Sequence, residues 1–321
     1  MYIGKVTIEP NLILAPMEGV TDLTFRRLIR QIGGCGLTCT EFVPGRGLRD
    51  HIPRVLEMVQ FDEDEHPLSI QVYGRDPVAM AEGARMARDL GADIVDLNLG
   101  CPSRKVCAHS GGSALLREPA LAKDIVCAMR TAVDGPFTVK MRAGWDPEHQ
   151  NAPEIAHMCE EEGVDGVTVH WRTRTERFGG TRRLDVIATV KDRLSIPVIA
   201  NGDIIDASSA LHTLEATNCD GLMIGRGAIR NPWVFREIEA ALVGHAPPLV
   251  TATDRERVLL GYYREIRTTF RTEKGALGRM KKIARYFTEG VPNGRVLRDA
   301  IWHSDTVEEA EARVRLFFAT G

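Results

Sequence analysis

Short apolar runs recur along the chain, each closed by Gly, Asn, Asp or His. They read as eight strands: LILAPM (12–17), LTCT (37–40), SIQVY (69–73), IVDLNL (94–99), TVKMR (138–142), GVTVH (166–170), PVIAN (197–201) and GLMIG (221–225). Segments of helical period lie between most of them, such as PVAMAEGARMARDLG (77–91), LAKDIVCAMRTAV (121–133) and ASSALHTLEATN (207–218). Unbroken apolar runs are typical of parallel strands covered on both faces. Eight such strands alternating with helices predict an α/β fold, a closed (β/α)8 TIM barrel. A doubly wound open sheet shares this periodicity and stays open as the alternative.

PWVFREIEAALVG (232–244) reads as the last helix of this unit, and HAPPLVTATD (245–254) as a Pro-rich break with TATD as a helix N-cap. Beyond it the strand signal disappears and only helical spacing remains. The organisation predicted is a barrel over 1–244 and a small all-helical domain over 250–321.

Polar residues punctuate the C-terminal end of each predicted strand: Pro16-Met17-Glu18, Glu41, Gln71, Asn98 and Cys101, Lys140 and Arg142, His170, Asn201-Gly202-Asp203, and Gly225-Arg226-Gly227. In a parallel barrel these ends share the face on which active sites form. The loops ANGDI (200–204) and IGRGAIRNPWVF (224–235) follow consecutive strands. Their glycines allow close backbone approach, and a following helix N-terminus favours an anion. GRGAIR lacks the third glycine of a dinucleotide fingerprint, so a single phosphate, as in FMN, fits better than a pyrophosphate. Gln71 could hydrogen-bond the pyrimidine edge of a flavin. Lys140, inside an apolar strand, could stabilise the negative charge of the reduced ring. Cys101 stands just past its strand, in LGCP, where a thiol is accessible and Pro102 stiffens the loop.

The chain has 321 residues, 44% hydrophobic and 26% charged, an ordinary globular composition. No apolar run is long enough for a membrane span, and the N-terminus lacks a secretory pattern. Seven cysteines without CxxC or zinc-type spacing predict a reducing, cytoplasmic setting and no metal. Net charge is −3, yet two stretches are basic: 171–183, with five arginines against Glu176, and 274–298, with Lys274, Arg279, Lys281, Lys282, Arg285, Arg295 and Arg298 against Glu289. Two such runs in an acidic chain point to a polyanionic partner.

Taken together, LAPMEGVTD (14–22), IQVYG (70–74), DLNLGCPSRKV (96–106), VKMRAGW (139–145), VHWRTR (169–174), IANGD (199–203), MIGRGAIRNPWVF (223–235) and GRMKKIARYFTEGVPNGRVLR (278–298) resemble the tRNA-dihydrouridine synthases of the general bacterial type. The resemblance implies an FMN-bound barrel that reduces the C5–C6 double bond of a uridine in tRNA, with NADPH (or NADH) recharging the flavin. It implies that Pro16, Met17 and Glu18 line the flavin, and that Gln71, Lys140 and His170 contact it. Asn201, Gly202, Asp203, Gly225 and Arg226 would hold its phosphate region. Cys101 matches the proton donor, and Asn98, Lys105 and Arg172 fall where the family meets the uridine or nearby RNA. The partner implied is tRNA, with no membrane and no obligate protein partner. Three residues depart from the pattern: Trp171 replaces a usual glycine, Glu176 a glutamine and Leu184 an aromatic, which places RNA-side details in question. A flavin barrel acting on a free small molecule would share these strand ends; the basic helical tail separates the two readings. An RNA-binding protein whose barrel has lost catalysis is disfavoured by the intact Cys101, Lys140 and phosphate loops.

Overall fold

Alternation along each strand decides the architecture. In a computed structural model, which describes residues 1–108, 111–177 and 179–320 (the backbone alone at 105 and 320), eight barrel strands run in parallel. They are β1 (Leu12–Leu14), β2 (Thr38–Cys39), β3 (Leu68–Tyr73), β4 (Ile94–Leu99), β5 (Phe137–Arg142), β6 (Gly166–His170), β7 (Val198–Asn201) and β8 (Gly221–Ile224). The order around the sheet is β1-β8-β7-β6-β5-β4-β3-β2. A parallel bridge between Ile13 and Leu37, with the Leu14 N–H donating to the Leu37 carbonyl at 2.9 Å, closes the ring. The barrel, not the open sheet, is therefore the fold. β1 stops short of its expected end because Pro16 has no N–H to carry the ladder on.

Leu68, Ile70, Val72, Val95, Leu97, Val139, Met141, Val167 and Val169 turn outward into the main core shared with the helices. Ile13, Leu37, Cys39, Ile94, Ile199 and Met223 form a second apolar cluster inside the barrel. A short hairpin, Tyr2–Ile3 with Val6–Thr7, adds Ile3 and Ile8 to that cluster. Its two-residue strands are too short for a periodic signal, so the sequence reading misses it.

The surrounding helices are α1 (Leu23–Ile32), α2 (Pro77–Asp89), α3 (Pro119–Ala132), α4 (Ala152–Glu161), α5 (Asp185–Arg193), α6 (Ala207–Thr217) and α7 (Val234–Leu242). Side-chain caps fix several starts: Asp22 accepts from Phe25 N–H at 3.0 Å, Asp76 from Val78 N–H at 2.9 Å and Asp206 from Ser209 N–H at 2.7 Å. After the Pro-rich break, Thr251 and Asp254 form a capping box that opens α8 (Ala252–Thr269). α9 (Glu273–Phe287), α10 (Gly294–Trp302) and α11 (Val307–Thr320) follow. Among the described residues, no helix is long and apolar enough to cross a membrane.

The basic run 274–298 does not form one solvent-facing surface, because α9 uses part of its charge to dock on the barrel. Arg279 is 6% exposed. Its guanidinium donates to the carbonyls of Gly19 and Val20, pairs with Asp22 at 2.8 Å and donates to the Tyr262 hydroxyl at 3.2 Å. A guanidinium has five fixed donors, so one side chain can satisfy a loop and a neighbouring helix together. Lys282 Nζ donates to the Gly19 carbonyl at 2.6 Å, while the Gly19 N–H donates to Glu41. The segment 16–22, which carries Pro16, Met17 and Glu18, is thus held between the end of β2 and α9. Edge-on contacts of Phe25 with Tyr262 (6.1 Å) and a tilted one of Trp233 with Phe287 (6.2 Å) extend the junction.

Arg279→Ala should therefore lower unfolding free energy by about 3 kcal/mol, the usual cost of breaking a buried charged pair from one side. Urea titration followed by circular dichroism reads this; a midpoint equal to wild type would mean the junction contributes nothing.

Candidate active site

The remaining strand positions point inward, and toward the C-terminal end of the barrel they are polar. Register sets Gln71 beside Asp96, Asp96 beside Thr138, Asn98 beside Lys140, Arg142 beside His170, and His170 beside Asn201. These neighbours bond across the strands. Gln71 donates to Asp96, Thr138 donates to Asp96 at 2.6 Å, and Asn98 donates to the Gln71 side-chain oxygen at 2.7 Å. Lys140 Nζ donates to Asn201 Oδ1 at 3.0 Å, and Asn201 Nδ2 donates to the Met223 carbonyl at 2.7 Å.

Above this layer lies a cavity of about 460 Å³. Its walls include Pro16, Met17, Gln71, Asn98, Cys101, Lys140, His170, Arg172, Asn201, Gly202, Asp203, Gly225 and Arg226, so most residues singled out from the sequence meet in one place. Two do not. Glu18 is exposed and lines an adjoining recess with Cys101, Pro102, Ser103, Arg104 and Arg177. The side chain of Lys105 lies outside the described residues. Phe42, Arg142, Met223 and Arg230 also line the cavity without having been assigned to it. Arg142 carried a signal, as a cation closing an apolar strand; Asp96, an acid embedded in IVDLNL, carried another. Nothing in the sequence marks Phe42, and Arg230 stands within the 224–235 loop without a pattern of its own.

The loop bearing Cys101 is fixed from both sides. Asn98 Oδ1 accepts the N–H groups of Gly100 (2.9 Å) and Cys101 (2.8 Å). Arg142 Nε donates to the Gly100 carbonyl at 2.9 Å, and Ser113 Oγ donates to the Cys101 carbonyl at 2.9 Å. Burial pushes the Cys101 thiol up to about 11, with Cys107 and Glu18 adding to the effect. The thiol therefore keeps its proton at neutral pH.

Burial has the opposite effect on the cations. It brings Lys140 down to about 8, reinforced by Arg142, and Arg142 down to about 10, reinforced by Arg172. His170 is held well below the usual imidazole range by burial and by the surrounding cations. Its Nδ1 accepts the Arg172 backbone N–H at 3.1 Å, so the neutral ring carries its proton on Nε2.

Arg172 faces this interior rather than an outer surface. It is 4% exposed, forks onto Asp203 at 2.5 and 3.0 Å, and donates through Nε to the Gly179 carbonyl at 2.6 Å. Arg226 reaches the same carboxylate at 2.8 Å. Much of the basic run 171–183 is likewise engaged: Arg183 pairs with Glu176 at 2.7 Å, and Arg182 donates to Thr213. Trp171 is 1% exposed, stacks on His170 with ring centroids 6.0 Å apart, and lies 4.0 Å from the Arg172 guanidinium. It is a wedge within the barrel wall, not an obstacle outside it. A Cβ on Gly202, whose φ is +116°, would stand 2.6 Å from Trp171 Nε1, so only glycine fits there. Glu176 also accepts from the Thr173 N–H and hydroxyl at 2.8 Å, and Leu184 is buried before α5.

Residues 13–320 match the family model described as dihydrouridine synthase (Dus). The chain belongs to the dihydrouridine synthase family. It is 40% identical to a protein of Pseudomonas syringae pv. tomato named tRNA-dihydrouridine synthase B, over 99% of this chain and 94% of the relative. It is also 40% identical to the protein of that name from Escherichia coli K12, over 97% of each. Among solved structures, a 2-naphthoyl-CoA reductase complexed with 2-naphthoyl-CoA superposes with a TM-score of 0.56 at 14% identity, covering 76% of this chain and 52% of that one. At that identity the likeness concerns the fold alone.

Lys140 gives a pH test of the site. Its folded value lies below that of an unfolded lysine, about 10.4, so its charge opposes folding at pH 7. Lys140→Met should stabilise the ligand-free protein at pH 7 by about 1–3 kcal/mol. That gain should shrink as pH rises from about 8 toward about 10.4, where the wild-type lysine loses its proton on folding. Denaturant titrations at both ends of this window measure it, and a difference independent of pH would contradict the assignment.

Proposed function

We propose that the protein reduces the C5–C6 double bond of specific uridines in tRNA to dihydrouridine, with FMN as its bound flavin and NADPH as reductant. The observation that carries this reading, within the family shared with the relatives above, is that Cys101 and the cationic strand ends line one cavity.

The residues present fit an anionic flavin. Lys140, Arg142, Arg172 and Arg226 line the cavity against a single lining carboxylate, Asp203, and Arg230 at its edge pairs with Glu289 at 2.6 Å. A Cβ on Gly225 would meet nothing closer than Met17 Sδ at 3.6 Å, so this glycine leaves space to the cavity rather than to protein packing. Arg226 and the backbone of 201–203 and 225–227 would hold the phosphate end. Gln71, Lys140 and Asn201 would face the ring, with Lys140 supplying charge opposite its pyrimidine edge. When bound, FMN supplies hydride to C6 of the uracil and is recharged by NADPH.

The chain's own residues do the rest. Cys101 holds the proton that C5 needs, on a loop fixed by Asn98, Arg142 and Ser113. Asn98, tied to both Gln71 and the Cys101 loop, links the cofactor side of the cavity to the acid. A base of a folded RNA enters such a cavity only when extruded. The helical domain would then hold phosphates outside through its exposed cations. The buried fork of Arg172 on Asp203 supports a role at the cofactor's phosphate end in this reading, where the sequence resemblance implied an RNA-side one.

The direct test is purified protein loaded with FMN, given NADPH and tRNA transcript, with dihydrouridine read by mass spectrometry; absence of product overturns the reading. Cys101→Ala should retain flavin absorbance and tRNA binding while losing roughly 10²–10⁴ in rate, the range for one general acid. Near-normal turnover would remove the thiol from the mechanism. Arg172→Ala should weaken FMN binding and leave the salt dependence of RNA binding as in wild type; a reduced slope would return this arginine to the RNA.

A further inference from the structure

We propose that the groove between α9 and α10 is a nucleotide-stacking site, in which an unpaired base of the RNA lies on Trp302 and adjacent phosphates meet Arg285 and Arg298. The inference rests on the proposed RNA substrate and adds a second contact point, on the helical domain.

Trp302 stands apart from the other indoles. It is 61% exposed, whereas Trp171 and Trp233 are 1% and 6% exposed, and Trp145 is flanked by the guanidinium groups of Arg117 (4.9 Å) and Arg174 (4.6 Å). It ends α10, and Arg295, Arg298 and Trp302 fall at i, i+3 and i+7, a single stripe along that helix. Arg285 of α9 faces it, and with Arg298, Asp299 and Trp302 it lines a groove of about 430 Å³. Asp299 lies 3.8 Å from both Arg295 and Arg298, looser than a close fork, so their donors are not saturated. Arg295 is 85% exposed along its side chain. The chemistry offered is one large aromatic face beside three guanidinium groups and one carboxylate, which suits a stacked base with its phosphates.

The groove is built on the helix that docks on the loop of the cavity wall. Lys282, one turn before Arg285 on α9 and about 4.5 Å along its axis, donates to the carbonyl of Gly19. Gly19 belongs to the same loop as Pro16 and Met17 in the cavity wall. An RNA strand delivering one base to the cavity would pass Lys282 and reach Trp302. Stacking reads a base's face and not its edge, so the site would grip RNA without choosing its sequence.

The test uses the full chain loaded with FMN. Trp302→Ala should weaken tRNA binding on the order of 10-fold, with the loss falling on KM for tRNA and not on flavin affinity. Trp302→Phe should restore most of it, and the slope of log K against log salt should stay as in wild type, because the lost contact is not ionic. Arg285→Ala and Arg298→Ala should each reduce that slope by about one. Unaltered tRNA affinity in Trp302→Ala, with wild type still forming dihydrouridine, overturns the groove and leaves the activity standing. Wild type that forms none overturns the activity itself. A concentration-dependent dimer that Trp302→Ala abolishes would assign the indole to self-association and overturn the proposal.

Discussion

Positive charge gathered where water is scarce is the constraint around which this barrel is arranged. Lys140, Arg142, Arg172 and Arg226 share a cavity whose lining offers one carboxylate, Asp203. Two of these guanidinium groups divide Asp203 between them. Lys140 donates to an amide oxygen, and burial, with the neighbouring cations, lowers the proton affinity of both it and His170. The repulsion is tolerated because the groups sit on, or just past, strands whose positions the outward-facing core already dictates. An anion in this cavity would offset the repulsion, so the arrangement suits a negatively charged ligand.

The thiol answers the opposite demand. The burial that drains protons from the cations keeps one on Cys101. Acid and cations therefore coexist in one cavity without neutralising each other. Their relative placement runs through Asn98, which touches Gln71 on one strand and the backbone of the Cys101 loop ahead of it. A single amide couples the floor of the cavity to the group at its rim.

The helical tail is built into this arrangement. Arg279 donates to the Gly19 and Val20 carbonyls of the loop after β1, and Glu41 holds the same loop from the other side. Removing the tail would therefore disturb Pro16 and Met17 as well as any RNA contact. Charge on α9 serves two purposes: Arg279 docks the helix, Lys282 lies at the junction, and Arg285 is left for solvent or a partner.

The sequence by itself determined the number and order of the barrel strands, since runs covered on both faces must be apolar at the outward positions whatever lies within. It also determined the strand-end residues, because Gln71, Asn98, Lys140, His170 and Asn201 interrupt those runs at the period of a pleated strand. Cys101 was legible in the same way, as a thiol displaced past a strand's end. Only the tertiary structure decided closure, which depends on one bridge between Ile13 and Leu37. It also decided which charges face inward. Arg172 and Arg279 look like surface cations in one dimension; each is buried because a carboxylate distant in sequence or a loop carbonyl comes within reach only after folding. Phe42 and Arg230 join the cavity for the same reason: their partners are set by strand order and helix docking, which local spacing does not encode.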